Sequence, residues 1–289
     1  MSEQSAVFVR ILACIAHSPG AERLARQAIG LAQACGAELT FLHVGSDRKP
    51  LESLIASVIA ESSLEKTPEL LDRVGRADRI ILHEARRIGA DLILAGALGV
   101  DPMLRELWGS TSRRLARRFT KSVWLTVHRG LPQEMARRIV AVAQLDAASS
   151  AMVRDVAELA RRLRCEQMHI VYEYDPYLIG VTEATGTQGA DSEEYERMAD
   201  AAARLGLSNF LEGFDFSGVQ VKAEPLAGKN LVEASQYARF VKADLVVIAA
   251  PIRRMGFLDR FFRHPAETVM LDMPCSVLFH RVRSAERRG

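Results

Sequence analysis

The chain has 289 residues, of which 48% are hydrophobic and 26% charged, and its formal net charge is +2. These proportions are typical of a soluble globular protein, and so small a net charge gives no basis for a nucleic-acid-binding surface. The length predicts two domains of ordinary size. No apolar run approaches the roughly 18 residues of a membrane span. No secretory leader precedes the first predicted strand, so we expect a cytoplasmic protein.

The first half predicts alternating strands and helices, the pattern of a parallel α/β sheet. Its predicted strands are Val7–Ile15, Glu38–Val44, Leu92–Ala95 and Ser122–Val127. Its predicted helices are Ala21–Cys35, Leu51–Ser62, Pro68–Ile88 and Ser110–Phe119.

The second half repeats this order. The segment Ala243–Pro251 (ADLVVIAAP) corresponds to Ala90–Leu98 (ADLILAGAL), and Ser276–His280 (SVLFH) corresponds to Ser122–His128 (SVWLTVH). Further predicted elements are strands at Arg138–Val142, Gln167–Tyr174 and Val219–Pro225, and helices at Asp146–Leu163, Asp191–Glu212 and Asn230–Val241. A short polar connection at His128–Arg137 separates the halves. We therefore expect domains at 1–130 and 136–289.

The four cysteines are Cys14, Cys35, Cys165 and Cys275. They form no Cys-x-x-Cys pair and have no metal-type spacing with histidine. All four lie in or beside predicted strands and helices. This predicts reduced, buried thiols and no metal site.

A glycine motif lies between the strand Leu92–Ala95 and the following helix. It consists of Gly96, Gly99, Gly109 and Ser110. Glycine allows a backbone to approach a ligand closely, and a helix start offers free N–H groups to an anion. The motif therefore predicts a phosphate cradle. A loop of turn glycines with an N-cap serine is the alternative.

The spacing Gly-x2-Gly-x9-Gly-Ser, in this strand–loop–helix context, resembles the motif of the universal stress protein family. The resemblance implies two tandem α/β domains, each a doubly wound parallel sheet of five strands in the order 3-2-1-4-5, with helices on both faces. It also implies ATP as the ligand. Because the interval between Val44 and Asp91 predicts only helices, we expect the first domain to shorten or lack one edge strand. The last strands, Ser122–Val127 and Ser276–His280, are expected to pair within the chain as an intramolecular pseudo-dimer, and a further homodimer is left open.

The sequence departs from the family pattern at three places. Family members that bind ATP carry an aspartate at the end of the first strand, where this chain has Ala16 and, in its second half, Ala143. His17 follows Ala16 and is either a partial substitute or a simple capping residue. The second glycine motif is replaced by other residues, among which Arg253, Arg254, Arg263 and His264 form a candidate anion site.

Two functions are consistent with these features. The first is a nucleotide-binding stress-response protein whose first domain holds ATP. The second is a scaffold that binds another small anionic or lipid-like ligand, or a protein partner. For the second domain we expect the loop Tyr174–Gly189 to cover an apolar cavity, or merely to pack on the surface. No catalytic constellation is present, so at most a slow ATPase is expected.

Overall fold

A computed structural model describes residues 7–46, 48–64, 66–96, 110–127, 135–176, 192–250 and 274–281. The chain divides into two compact units. The first unit comprises residues 1–136 and 275–289, and the second comprises residues 137–274. Each unit has an α/β architecture.

The first unit contains a parallel sheet with connecting helices. Its elements are β1 (Arg10–Ile15), α1 (Ala21–Cys35), β2 (Glu38–Val44), α2 (Lys49–Ala60), β3 (Glu69–Arg73), α3 (Ala77–Arg87), β4 (Leu92–Gly96), α4 (Ser110–Arg118) and β5 (Ser122–Thr126). The strand order β3-β2-β1-β4-β5 is the predicted doubly wound order. In register, Leu12 of β1 lies between Thr40 of β2 and Ile93 of β4.

Central strands of this unit consist mainly of apolar residues because helices cover a parallel sheet. Leu92, Ile93 and Leu94 of β4 are fully buried. Helix α1 packs its apolar stripe inward and ends at Gly36, whose φ of 64° is left-handed. The amide of Gly36 is bonded to the carbonyls of Ala32 and Gln33, which ends the helix as a glycine C-cap.

The expectation of a continuous helix over Pro68–Ile88 is wrong in its first part. Residues Glu69–Arg73 form β3, a parallel edge strand on β2, and helix α3 begins only at Ala77. The edge strand is therefore present but short, with five residues against seven in its counterpart of the second unit. Four of the five residues in its sequence, ELLDR, are good helix formers, and only Leu71 is buried.

The second unit follows the same order over its described residues. Its elements are β6 (Arg138–Ala143), α5 (Ala147–Arg162), β7 (Gln167–Tyr174), α6 (Ser192–Leu211), β8 (Val221–Ala227), α7 (Val232–Phe240) and β9 (Leu245–Ala249). Strand β6 pairs in parallel with β7 and β9, and β7 pairs in parallel with β8. Helix α5 begins at Asp146, whose carboxylate accepts a hydrogen bond from the amide of Ser149 at 2.7 Å.

The last strand, β10 (Ser276–His280), belongs to the first unit and pairs antiparallel with β5. Leu278 lies opposite Trp124, and both side chains are fully buried. The expected pairing of the two final strands is therefore found. Beyond it, the Arg281 guanidinium donates to the carbonyl of Ala116 at 2.8 Å, at the end of α4. All four cysteines are free. Within the described segments, no helix is long and apolar enough to cross a membrane.

Candidate functional site

A cavity of about 500 Å³ lies in the first unit, at the carboxyl ends of β1 and β4. The chain leaves β1 toward β2 on one side, while β4 lies on the other side of β1. Ligands of open parallel sheets bind at such a switch point, outside the carboxyl ends of the strands. The lining comprises Cys14, Ile15, Ala16, Ser18, Pro19, Gly20, Ala21, Arg23, Leu24, Leu42, Val44, Ala77, Ile81, Ala95, Gly96, Thr111, Ser112 and Leu115.

The cavity walls are mostly aliphatic. The aliphatic lining residues come from four elements: Ile15 from β1, Leu24 from α1, Leu42 from β2 and Leu115 from α4. The small side chain of Ala95 forms part of the lining where β4 ends. Such a surface favours a flat or apolar ligand portion, since removing apolar area from water is favourable.

Three helix starts contribute to the same cavity. Ala21 is the first residue of α1, Ala77 is the first of α3, and Thr111 and Ser112 lie in the first turn of α4. Helix N-termini carry partial positive charge and unpaired N–H groups. Their convergence makes the cavity attractive to an anion.

Arg23 is the one charged side chain in the described lining, which contains no carboxylate. It lies in the first turn of α1, half-buried, and takes part in none of the ion pairs of the described residues. Arg26, three residues later, differs because it pairs with Glu22 and Glu61 at 2.9 and 2.7 Å. Arg23 therefore adds a positive charge to the cavity beside the helix starts.

The thiol of Cys14 lines the cavity as well. Burial raises the pKa of this thiol to about 12. Since the thiolate is the reactive form of cysteine, the raised pKa makes Cys14 a poor nucleophile near neutral pH. Nowhere in the described residues do three or more His, Cys, Asp or Glu side chains come together to hold a metal ion.

The residues singled out in the sequence lie at different places. Gly96 and Ala16 line the cavity, and Ser110 begins α4. His17 is exposed and packs edge-on against His43 with ring centroids 5.0 Å apart, outside the cavity lining. The remaining candidates lie outside the described residues: Gly99, Gly109, Arg253, Arg254, Arg263, His264 and most of the loop Tyr174–Gly189.

Several lining residues were missed in the sequence. Arg23 lies in the first turn of α1, the helix that follows β1. This position could have been recognised, because helices that follow strands of a parallel sheet begin at the edge where ligands bind. Val44 and Ile81 carry no such signal, since apolar residues at these positions also fit an ordinary core. Their role in the lining depends on how α3 and β2 are placed around the opening.

Residues 8–127 match the model of the Universal stress protein family. No curated protein sequence matches the chain. A protein of unknown function from Pseudomonas aeruginosa PAO1 has a similar structure, with a TM-score of 0.69, 17% identity, and coverage of 95% of this chain and 92% of that chain. A universal stress protein from Archaeoglobus fulgidus DSM 4304 is similar with a TM-score of 0.61 and 13% identity, over 95% of this chain and 96% of that chain. At such identities the structures support the fold alone, whereas the sequence match assigns residues 8–127 to the universal stress protein family.

Proposed function

We propose that the first unit binds an anionic nucleotide, with ATP as the first ligand to test, and that this binding is how the chain serves a stress response. The observation that carries the proposal is the composition of the cavity. Aliphatic walls suit a base, while Arg23 and three helix starts suit phosphate groups. Gly96, the first residue of the glycine motif, lines the cavity, and Ser110, its last residue, begins α4.

The substitution at Ala16 changes how such a ligand is held. The family resemblance places a nucleoside-contacting aspartate there, and alanine offers no hydrogen-bond acceptor. The described lining holds no carboxylate that could take its place. Binding should therefore depend on the phosphate groups, so we expect affinity to fall from ATP to AMP to adenosine.

The test is calorimetric titration of the full chain with ATP, AMP and adenosine. Arg23→Gln should weaken ATP binding about 10- to 100-fold, the range for loss of one hydrogen bond to a charged group. Arg26→Gln is the matched control, because it removes the same charge from the same helix outside the cavity lining. Its ATP affinity should stay within about twofold of the wild type, since the Arg26 guanidinium is already paired with Glu22 and Glu61.

Three outcomes would contradict the proposal. One is no ATP binding by the folded wild-type chain at millimolar ATP. Another is equal weakening by Arg23→Gln and Arg26→Gln, which would indicate only long-range charge. The third is binding of a fatty-acid anion such as laurate in competition with, and more tightly than, ATP. That result would assign the cavity to the amphipathic ligand of the alternative function.

A further inference from the structure

The strand registers align the two units residue by residue. In the first unit Ile15 of β1 lies opposite His43 of β2, and in the second unit Ala143 of β6 lies opposite Tyr172 of β7. The next residue along β2 is Val44, and the next along β7 is Glu173. Val44 lines the cavity of the first unit. At the corresponding place, the second unit has a carboxylate instead of an apolar wall.

The Glu173 carboxylate is buried and caps the start of helix α7. It accepts hydrogen bonds from the amides of Leu231, Glu233 and Ala234, the latter two at 2.8 and 3.4 Å. Free N–H groups at a helix start are the feature that attracts an external anion. In α7 these groups are bonded within the chain.

The first unit differs at the corresponding helix. Helix α3 follows β3 as α7 follows β8, and its first residue, Ala77, lines the cavity. The N-cap residue of α3, Arg76, makes no side-chain capping hydrogen bond. The buried carboxylate in the first turn of α3, Asp78, accepts hydrogen bonds from the Arg76 guanidinium. The start of α3 therefore lines a cavity, whereas the amides at the start of α7 are capped by Glu173.

The backbone before α7 is shaped around this contact. Asn230 and Leu231 both have left-handed φ values, of 62° and 64°. This conformation is unfavourable for a residue with a branched apolar side chain and persists only where surrounding contacts hold it. The hydrogen bond from the Leu231 amide to Glu173 is such a contact.

The strands that form the cavity in the first unit carry larger side chains in the second. Cys14 pairs with Ala95 across β1 and β4, and the corresponding pair across β6 and β9 is Val142 and Ile248. Replacing alanine by isoleucine adds three carbon atoms at the point where β4 leaves room. The second unit therefore differs from the first at two cavity-lining positions: Glu173 replaces Val44, and Ile248 replaces Ala95.

We propose that Glu173 is a built-in occupant of the second unit's counterpart site, so that the chain binds one anionic nucleotide, in its first unit. The identity of that nucleotide rests on the proposed function. The role of Glu173 does not, because it concerns an internal anion at α7. We therefore expect one nucleotide to bind per chain. We also expect the start of α7 to accept an external anion only when Glu173 is substituted.

The stoichiometry is tested with ATP on the full chain by calorimetry. Wild type should bind one ATP per chain. Ala95→Ile, which copies Ile248 into the first unit, should abolish binding. Two ATP molecules per wild-type chain would place a nucleotide in the second unit and overturn the proposal. One ATP retained by folded Ala95→Ile would show that an isoleucine at this position does not exclude a nucleotide, which removes the steric ground for a single site and overturns the proposal as well.

The role of Glu173 is tested separately with inorganic phosphate, by following the amide NMR resonances of Leu231, Glu233 and Ala234. Phosphate should leave them unchanged in the wild type and shift them in Glu173→Gln, which keeps the side-chain size, and in Glu173→Val, which copies Val44. Glu233→Gln is the matched control, since it removes a carboxylate from the same helix start without touching the three bonds. Shifts in the wild type, or none in a folded Glu173 variant, would overturn the proposal. Unchanged wild-type resonances and shifts in the variants, without any ATP binding, would refute only the proposed function.

Discussion

The carboxylate of Asp91 accepts a hydrogen bond from the backbone amide of Arg10 at 3.0 Å, while the Asp91 amide donates to the Arg10 carbonyl at 2.9 Å. Asp91 precedes β4, and Arg10 begins β1. The second unit repeats the arrangement between Asp244, which precedes β9, and Arg138, which begins β6, at 2.8 and 2.9 Å. The Ala-Asp-Leu segment shared by the two halves thus fixes the start of the central strand pair in each unit.

We expect Asp91→Ala and Asp244→Ala each to lower the free energy of unfolding by about 1–3 kcal/mol, since each removes the acceptor of at least one partly buried backbone amide hydrogen bond. Urea denaturation followed by circular dichroism measures the effect. The control is Glu212→Ala, which removes an exposed carboxylate and should change stability by less than about 0.5 kcal/mol. Equal effects of all three substitutions would show that the Asp91 and Asp244 contacts carry no special stability.

Much of the fold could be predicted because the repeated segments are strongly patterned. Strand β4, whose first four residues are buried, and the amphipathic helix α1 lie where the periodicity placed them. Strand β3 could not be predicted, because ELLDR lies at a sheet edge and its strand conformation depends on pairing with β2. Local propensity favours a helix there, and the tertiary contact prevails.

The candidate site could be predicted only in part, for a similar reason. Gly96 and Ala16 stand out because the residues at the ends of β4 and β1 face the ligand edge of a parallel sheet. The contact of Glu173 with α7 joins residues 58 to 61 positions apart. Nothing in the local sequence around Glu173 distinguishes a capping carboxylate from an exposed one.

Glu84 should make the first unit sensitive to acid. Burial alone would raise the pKa of its carboxyl, but hydrogen bonds from Arg87 and Arg73, at 2.6 and 2.9 Å, outweigh burial and lower it. Because the pKa is lower in the folded state, the carboxylate stabilises the fold at pH values above the pKa of the unfolded state, roughly 4.3. This stabilisation is lost as the pH falls through the pKa of the folded state.

We therefore expect Glu84→Gln to destabilise the chain by about 1–3 kcal/mol at pH 7 and by progressively less below roughly pH 4.3. Thermal unfolding of both proteins across this pH range provides the measurement. A difference that stays constant down to pH 3 would contradict the lowered pKa.

Leu278 is predicted to be essential to the pairing of β10 with β5, because its fully buried side chain lies opposite Trp124. Leu278→Ala should lower the free energy of unfolding by about 2–5 kcal/mol through the cavity it leaves. Leu205→Ala, at a leucine that is 63% exposed, is the control and should have little effect. Urea midpoints measure both, and similar midpoint shifts would argue against a packed β5–β10 pair.

Alanine substitution of a glycine inside α1 and of the glycine at its C-cap should change stability in opposite directions. Gly30 lies inside the helix, where an added Cβ would meet nothing within 4 Å, so Gly30→Ala should stabilise the chain by about 0.8–1 kcal/mol. Gly36 has a left-handed φ of 64°, so Gly36→Ala should destabilise it by about 1–2 kcal/mol. Thermal unfolding distinguishes the two. The same sign for both would mean that the C-cap geometry of α1 is not as described.

Hydrogen exchange of the full chain, with and without ATP, followed by mass spectrometry, shows which unit holds the nucleotide. Binding in the first unit should slow exchange in peptides that cover residues 14–24, 42–44 and 111–115, which contain the cavity lining. Exchange should stay unchanged in peptides that cover residues 171–175 and 231–236, where Glu173 already caps the start of α7. Protection confined to the second unit, or none in the first unit at millimolar ATP, would contradict nucleotide binding in the first unit.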